Sequence, residues 1–419
     1  MVLRSPFARF WWGEAVSGMG TAVTTLALQT LIVVTLAGGA TEVGWLNTAR
    51  WLPYLVLGLF VGALVDRVRR RPVMVLSDLA RAALLGLIPV AWALDLLSFP
   101  MLLAIVLLFG TASVVNDAAS LSFVPRLVPR EGLQQAHARL DQAGALAQTA
   151  GPALAGALIR LMGAPLAVIV DAATYLFSAA MVASLGPASE PPPSSRPQGG
   201  ARQLFLEIRE GTRWAYGESG LRPLAIATHV WFAGQAVLMV LVAPYALLVL
   251  DLTPWELGLI FSLAGIGALL GASTSTRVGR RLGTIGAIAC CYAVSTVGVV
   301  ITLTATWVPH GWVAAGALAL GQLCHGWAMG TSNSHEMSYR QQATPDALQA
   351  RTNTTLRSLN RAVVVVVSPV AGLLADRLGY SPVLIAASAL FGASAFMVAT
   401  LVPRVPGPGL RHDADQARQ

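Results

Sequence analysis

Long apolar stretches recur along the chain, each bounded by a short break rich in polar residues, glycine or proline. An α-helix rises about 1.5 Å per residue and the hydrocarbon core of a bilayer is about 30 Å thick, so one crossing takes about 20 mostly apolar residues. Stretches of that kind lie near 10–37, 43–65, 73–95, 100–122, 136–162 and 165–186, and again near 223–250, 255–276, 284–306, 312–335, 352–375 and 381–402. The pattern predicts an all-α integral membrane protein with twelve transmembrane helices in two six-helix repeats. It divides the chain into an N-terminal bundle (1–186), a connector (187–222), a C-terminal bundle (223–402) and a tail (403–419). The connector opens with Pro187, Pro191, Pro192, Pro193 and Ser194, which is linker chemistry. Further on, Leu204, Phe205, Ile208 and Trp214 alternate with Arg202, Glu207, Arg209, Glu210 and Arg213, as in an amphipathic helix lying on a membrane surface.

Composition agrees: 55% of the 419 residues are hydrophobic and 11% charged, which excludes an ordinary soluble domain. Charge then orients the spans. All 28 basic residues are arginine, and they collect in alternate loops: Arg67, Arg69, Arg70 and Arg71; Arg126 and Arg130; Arg202, Arg209 and Arg213; Arg277, Arg280 and Arg281; Arg340. The opposite loops at 37–43, 96–100, 250–254 and 307–311 hold no arginine. By the positive-inside rule both termini are cytoplasmic, and the expected location is the inner (plasma) membrane. The net charge of +8 reflects this topology and contact with anionic lipid. No basic stripe alternates with stacking aromatics, so nucleic acid is not an expected partner. Cys290, Cys291 and Cys324 fall inside spans without ligand spacing and read as small buried apolar residues, so no metal is expected.

The two halves repeat in sequence. Pro152 and Pro165 recur as Pro369 and Pro382, both 217 positions on, and Pro129 and Leu133 have counterparts in Pro345 and Leu348. Parallel repeats of this kind mark a transporter architecture. After span two, the run Gly62-Ala63-Leu64-Val65-Asp66-Arg67-Val68-Arg69-Arg70-Arg71 resembles the signature loop of the major facilitator superfamily, with Arg69 where glycine is usual. The Gly151-Pro152 stretch of span five resembles that superfamily's antiporter motif, although Ala147 and Ala155 stand where glycines are common, and the arginine frequent in span four of proton-coupled exporters is missing from 100–122. The nearest flavour is the branch holding macrolide-type efflux pumps and siderophore exporters. The resemblance implies alternating access, with Gly62, Asp66, Arg67, Arg70, Asp117, Gly151 and Pro152 as gating residues. Asp66 would then meet the positive N-terminus of span eleven when the protein faces outward.

Ionisable residues inside a bilayer are costly and therefore informative. Glu14, read as one turn inside span one, sits in a glycine-containing stretch similar to one that carries an acidic residue in multidrug antiporters. It is the leading candidate for proton coupling; a residue placed only by the helix dipole is the alternative. Arg50 and Asp171 lie at similar depths and either neutralise each other or, for Arg50, snorkel to the interface. Asp117, placed near the end of span four, is expected to pair with Arg70 or Arg81. Gln148 and Gln235 join the candidate substrate residues, and Trp231, Phe232, Phe261 and Trp327 the candidate cavity walls. No phosphate-binding glycine loop ending in lysine occurs, which argues against direct ATP coupling. No Gly-x-Ser-x-Gly elbow occurs either, so an enzyme is not expected. The expected function is proton-coupled export of small lipophilic or amphipathic molecules, by a monomer without cofactor. A dedicated exporter of one metabolite, such as a siderophore or a self-made antibiotic, is one alternative; a membrane scaffold or receptor is another.

Overall fold

The computed structural model describes residues 5–58, 61, 65, 68–186, 209–218, 220–309 and 311–403. Its helices begin where local chemistry favours a start. Ser5 accepts the amide of Ala8 and Pro6 takes the first helical position of α1 (Pro6–Thr30), which starts four residues before the apolar stretch does. Then follow α2 (Ala40–Val56), α3 (Arg70–Ala93), α4 (Phe99–Leu127), α5 (Leu133–Met162) and α6 (Ala164–Ala183). The second half begins with α7 (Arg222–Pro244). A run Pro254–Thr304, started by a Thr253/Glu256 capping box, breaks at Gly283, whose φ of 70° only glycine adopts readily, into α8 (254–282) and α9 (284–304). The remaining helices are α10 (Trp312–Ala343), α11 (Asp346–Leu378) and α12 (Tyr380–Leu401). Twelve long helices thus occur among the described residues, and no strand. The expected fold class holds.

The repeat is also visible in the backbone. α1 and α7 both finish in a π-helical turn, Leu31–Thr35 and Tyr245–Val249. Each turn is followed by a left-handed residue, Ala37 and Asp251. The junctions α5/α6 and α11/α12 are each made by one left-handed glycine, Gly163 and Gly379. Eight helical runs, one of them holding both α8 and α9, are long and apolar enough to cross a membrane. α5 and α10 are long but more polar, and pack among other helices: α5 against α1 and α8, α10 against α8 and α9. Several helices outrun their apolar stretches toward the arginine-rich end, as at Leu127 and Ala343. Of the amphipathic helix expected in the connector, Leu204, Phe205 and Ile208 lie outside the described residues; 209–218 is helical, and Glu210 pairs with Arg351 of α11.

The halves meet along two seams, α2 with α11 and α5 with α8. At the end away from the arginine-rich loops both seams are close. Gly44 lets α2 approach the backbone of Ser368 and Pro369, and Gly372 lets α11 approach Ala40 and Thr41. On the other seam Gly156 faces Pro254 and Trp255, and Gly258 faces Pro152. Small residues permit such backbone contact where lipid offers no hydrophobic drive for helix pairing. One apolar core runs between the halves, from Leu26 and Leu31 of the first to Leu241 and Tyr245 of the second. Toward the arginine-rich end, a Cβ added at Gly58 or Gly144 would meet nothing within 4 Å.

Candidate functional site

Below the sealed end, α1, α3, α4 and α6 each turn a short polar stripe toward the middle of the N-terminal half. The spacing is helical: Glu14, Ser17 and Thr21 on α1, Asp78 and Arg81 on α3, Asp117 and Ser120 on α4, Asp171 and Tyr175 on α6. Arg81 and Asp78 form a buried ion pair, and Asn116 donates to Asp78 Oδ1 at 3.0 Å. The Arg81 guanidinium lies 4.1 Å from the centre of the Tyr175 ring, and the Tyr175 hydroxyl is 2.7 Å from Thr21 Oγ1. A buried pair of this kind is costly to form and still costlier to break, so the extra contacts on both partners matter.

Glu14 lies at the edge of this network. Ser120 donates to Glu14 Oε1 at 3.3 Å, and Arg81, Asp117 and Asp78 act on it electrostatically. Because α1 begins at Pro6, Glu14 stands two turns inside the helix, deeper than the one turn expected. Asp117 stands ten residues before the end of α4 at Leu127, so it is also deeper than expected, and its side chain is exposed. Its partner is neither Arg70 nor Arg81: Tyr54 donates to Asp117 Oδ2 at 2.7 Å. Arg81 is drawn to Asp78 one helical turn away, and Arg70 is buried at the start of α3 with Nε on Ser122 Oγ at 3.4 Å.

The pairing of Arg50 with Asp171 is not formed. Arg50 donates to Thr25 Oγ1 at 2.8 Å, and Asp171, fully buried, accepts from Thr174 at 3.0 Å. Gln148 is exposed on α5, where its backbone carbonyl faces Gly265 of α8. Gln235 lies in the other half and takes His325 Nε2 at 2.6 Å, so it is not part of the Glu14 cluster. Gly151 packs against Ala22 and Met19 of α1 while the carbonyl of Pro152 faces Gly258, so this stretch joins both neighbours of α5. Gly62, Asp66 and Arg67 lie outside the described residues. Trp231 does not line an open cavity: it is buried between His325, Tyr292 and Phe391, where its indole fills the core of the C-terminal half. Tyr292 there donates to Glu336 Oε1 at 3.0 Å.

Six participants were missed from sequence: Asp78, Asn116, Ser120, Tyr54, Tyr175 and Arg361. Asp78 with Arg81 three positions on is a readable signal, two opposite charges one turn apart inside an apolar span. Arg361 had none, since its role comes from the opposite half. Its guanidinium lies 5.0 Å from the Tyr54 ring centre and 6.0 Å from that of Trp51. At the sealed end a second residue of α11 acts across the seam: Asp376 accepts the amides of Ala40 and Thr41 at 3.0 and 2.8 Å, at the first turn of α2. These amides have no partner within their own helix.

Comparison with known proteins places this architecture. The sequence profile described as Major Facilitator Superfamily matches residues 10–361. The multidrug efflux pump Tap of Mycolicibacterium fortuitum is 27% identical over 317 residues, 72% of this chain and 74% of Tap. The MFS-type transporter y4rN of Sinorhizobium fredii is 26% identical over 356 residues, 82% of this chain and 83% of that protein. Among solved structures, the nucleoside transporter NupG superposes with a TM-score of 0.75 at 12% identity, covering 95% of this chain and 99% of NupG; at that identity the likeness concerns the fold.

Proposed function

The chain belongs to the Major Facilitator Superfamily, and from that premise we propose that it is a proton-coupled secondary exporter of small lipophilic or amphipathic molecules. It is a transporter and not an enzyme. The observation that carries the proposal is the position of Glu14 and Asp117: two carboxyl groups either side of Ser120, in the half-membrane region that opens toward the arginine-rich loops, while the opposite end is sealed. The arginine distribution puts the open end in the cytoplasm, together with both termini and the connector at 187–222, in the plasma membrane. On this reading the open end faces the cytoplasm, and the protein works as a monomer whose two bundles rock about the site. Similarity to a multidrug efflux pump supports outward transport.

The mechanism follows from one requirement. A carboxyl group that takes a proton on one side and releases it on the other exchanges protons as the bundles rock, provided substrate and proton favour different ionisation states of the same site. Glu14 meets it, because Ser120 supplies a hydrogen bond in either state and Arg81, held by Asp78, supplies fixed positive charge nearby. Glu14→Gln keeps the size of the side chain and removes its ionisation. In proteoliposomes with an imposed proton gradient, the wild type is expected to accumulate substrate uphill, whereas the variant retains binding and facilitated exchange but no accumulation. Uphill transport by Glu14→Gln at the wild-type rate would refute Glu14 as the coupling residue.

A further inference from the structure

Trp51 and Tyr54 are three residues apart on α2, and their rings lie 5.4 Å centre to centre on one face of the helix. The Tyr54 hydroxyl donates to Asp117 Oδ2 at 2.7 Å, so a carboxylate of α4 is held at the rim of this aromatic face. One turn further along α4, Ser120 holds Glu14. The face therefore combines the π-surfaces of two aromatics with two acidic groups, which is chemistry that selects a delocalised or quaternary cation over a compact, strongly hydrated one. What occupies it is the protein's own cation: the Arg361 guanidinium, from the opposite half, 5.0 and 6.0 Å from the two ring centres. Among the described residues Arg361 is in no ion pair, so these rings are its seat. The neighbouring cation on α11, Arg357, is exposed and belongs to the same helix, so both positive charges travel with the C-terminal half.

We infer that the Trp51–Tyr54–Asp117 face is the seat of a lipophilic organic cation, and that Arg361 is a tethered competitor for it. This rests on the exporter reading and names its substrate class. A guanidinium is planar, delocalised and weakly hydrated, the same features that let a lipophilic cation sit on an aromatic face. When such a cation enters through the open end, it takes the ring faces and the carboxylate, and Arg361 swings away from the rings. A contact between α2 and α11 is thereby exchanged for a contact with the cargo, and loading becomes linked to the seam along which the halves move. An empty transporter keeps the face covered, so that Asp117 faces a cation in either condition.

The test is equilibrium binding of tetraphenylphosphonium, with its anionic isostere tetraphenylborate as control, to the full chain in nanodiscs without any gradient. Arg361→Ala is expected to tighten tetraphenylphosphonium by about tenfold and to leave or weaken tetraphenylborate; Arg361→Lys falls between. Trp51→Ala and Asp117→Asn are each expected to weaken the cation by about tenfold or more. Arg361→Gln guards against a folding defect in the alanine variant, with thermal unfolding measured for all. Unchanged or weaker cation binding in both Arg361→Ala and Arg361→Gln, equal gains for cation and anion, or no binding of the cation to any variant would overturn the inference. The readout needs no proton coupling, so a failure of Glu14→Gln to abolish uphill transport would leave it standing, and loss of the Arg361 effect in an active exporter would sink the cation seat alone.

Discussion

The helix pair α2 and α11 forms one seam with two different ends. At the sealed end backbone meets backbone: Gly372 lies against Ala40 and Thr41, Gly44 against Ser368 and Pro369, and Thr48 donates to the carbonyl of Val365 at 2.9 Å. Nearer the arginine-rich end long side chains bridge the helices, the rings of Trp51 and Tyr54 beneath the Arg361 guanidinium. The first kind of contact is stiff and depends on the absence of a Cβ. The second adjusts with rotamers and can be exchanged for a ligand. On the proposed reading, a seam stiff at one end and compliant at the other is suited to the pivoting that alternating access requires. The sequence carries a related symmetry: Gly62-Ala63-Leu64-Val65-Asp66-Arg67 at the end of the second span has the same spacing as Gly372-Leu373-Leu374-Ala375-Asp376-Arg377 at the end of the eleventh. In the second run, Asp376 caps the start of the partner helix.

Three substitutions break or sharpen this contrast. Gly372→Leu attacks the stiff end, because its side chain would start within 2.7 Å of the Thr41 Cα and backbone cannot yield as a side chain can. Overpacking of this kind costs about 1–3 kcal/mol or more, and the cost falls on the sealed state alone. Spin labels on the loops at 94–98 and 305–311 are expected to report a shift toward the state open at that end by about tenfold or more. An unchanged distance distribution would show that the seam is not what holds this end shut. Asp376→Asn removes the charge that favours a helix N-terminus and one of two accepting oxygens, about 1 kcal/mol in all, so the same labels should move in the same direction by about fivefold. Asp376→Glu should restore part of the closure, which a merely structural loss would not. Asp66→Asn is expected to have the smallest effect and the opposite sign, raising the population open to the arginine-rich side and slowing transport, since its proposed partner is the start of α11 in the other state. Equal shifts from Asp66→Asn and Asp376→Asn in one direction would dissolve the comparison.

Much of this was legible from the residues in order. Twelve spans, their division into halves and the repeat follow from length and hydropathy, because a bilayer imposes one dimension and forces every backbone group to be satisfied within its own helix. Glu14 was legible as a carboxyl group at unfavourable depth. Its depth was underestimated because the helix starts at the Ser5 cap, outside the apolar run. Trp231 was misassigned because an aromatic on a span looks the same in sequence whether it faces a cavity or, as here, is buried against His325 and Phe391. Arg50 and Asp171 were matched on depth, yet depth says nothing of rotation about the helix axis, and each finds a threonine instead.

The sequence by itself determined what a bilayer reads along one axis: which segments cross, in what number, and which loops gather the arginines. The partners of the charges were decided by tertiary structure alone. Asp117 takes Tyr54, Arg81 takes Asp78, and Arg361 reaches the rings of the other half. Helix periodicity fixes the spacing of side chains on a face, whereas the identity of the facing helix depends on which small residues allow close approach. Those contacts join Gly44 to Ser368 and Gly372 to Ala40, positions more than 300 residues apart in the chain.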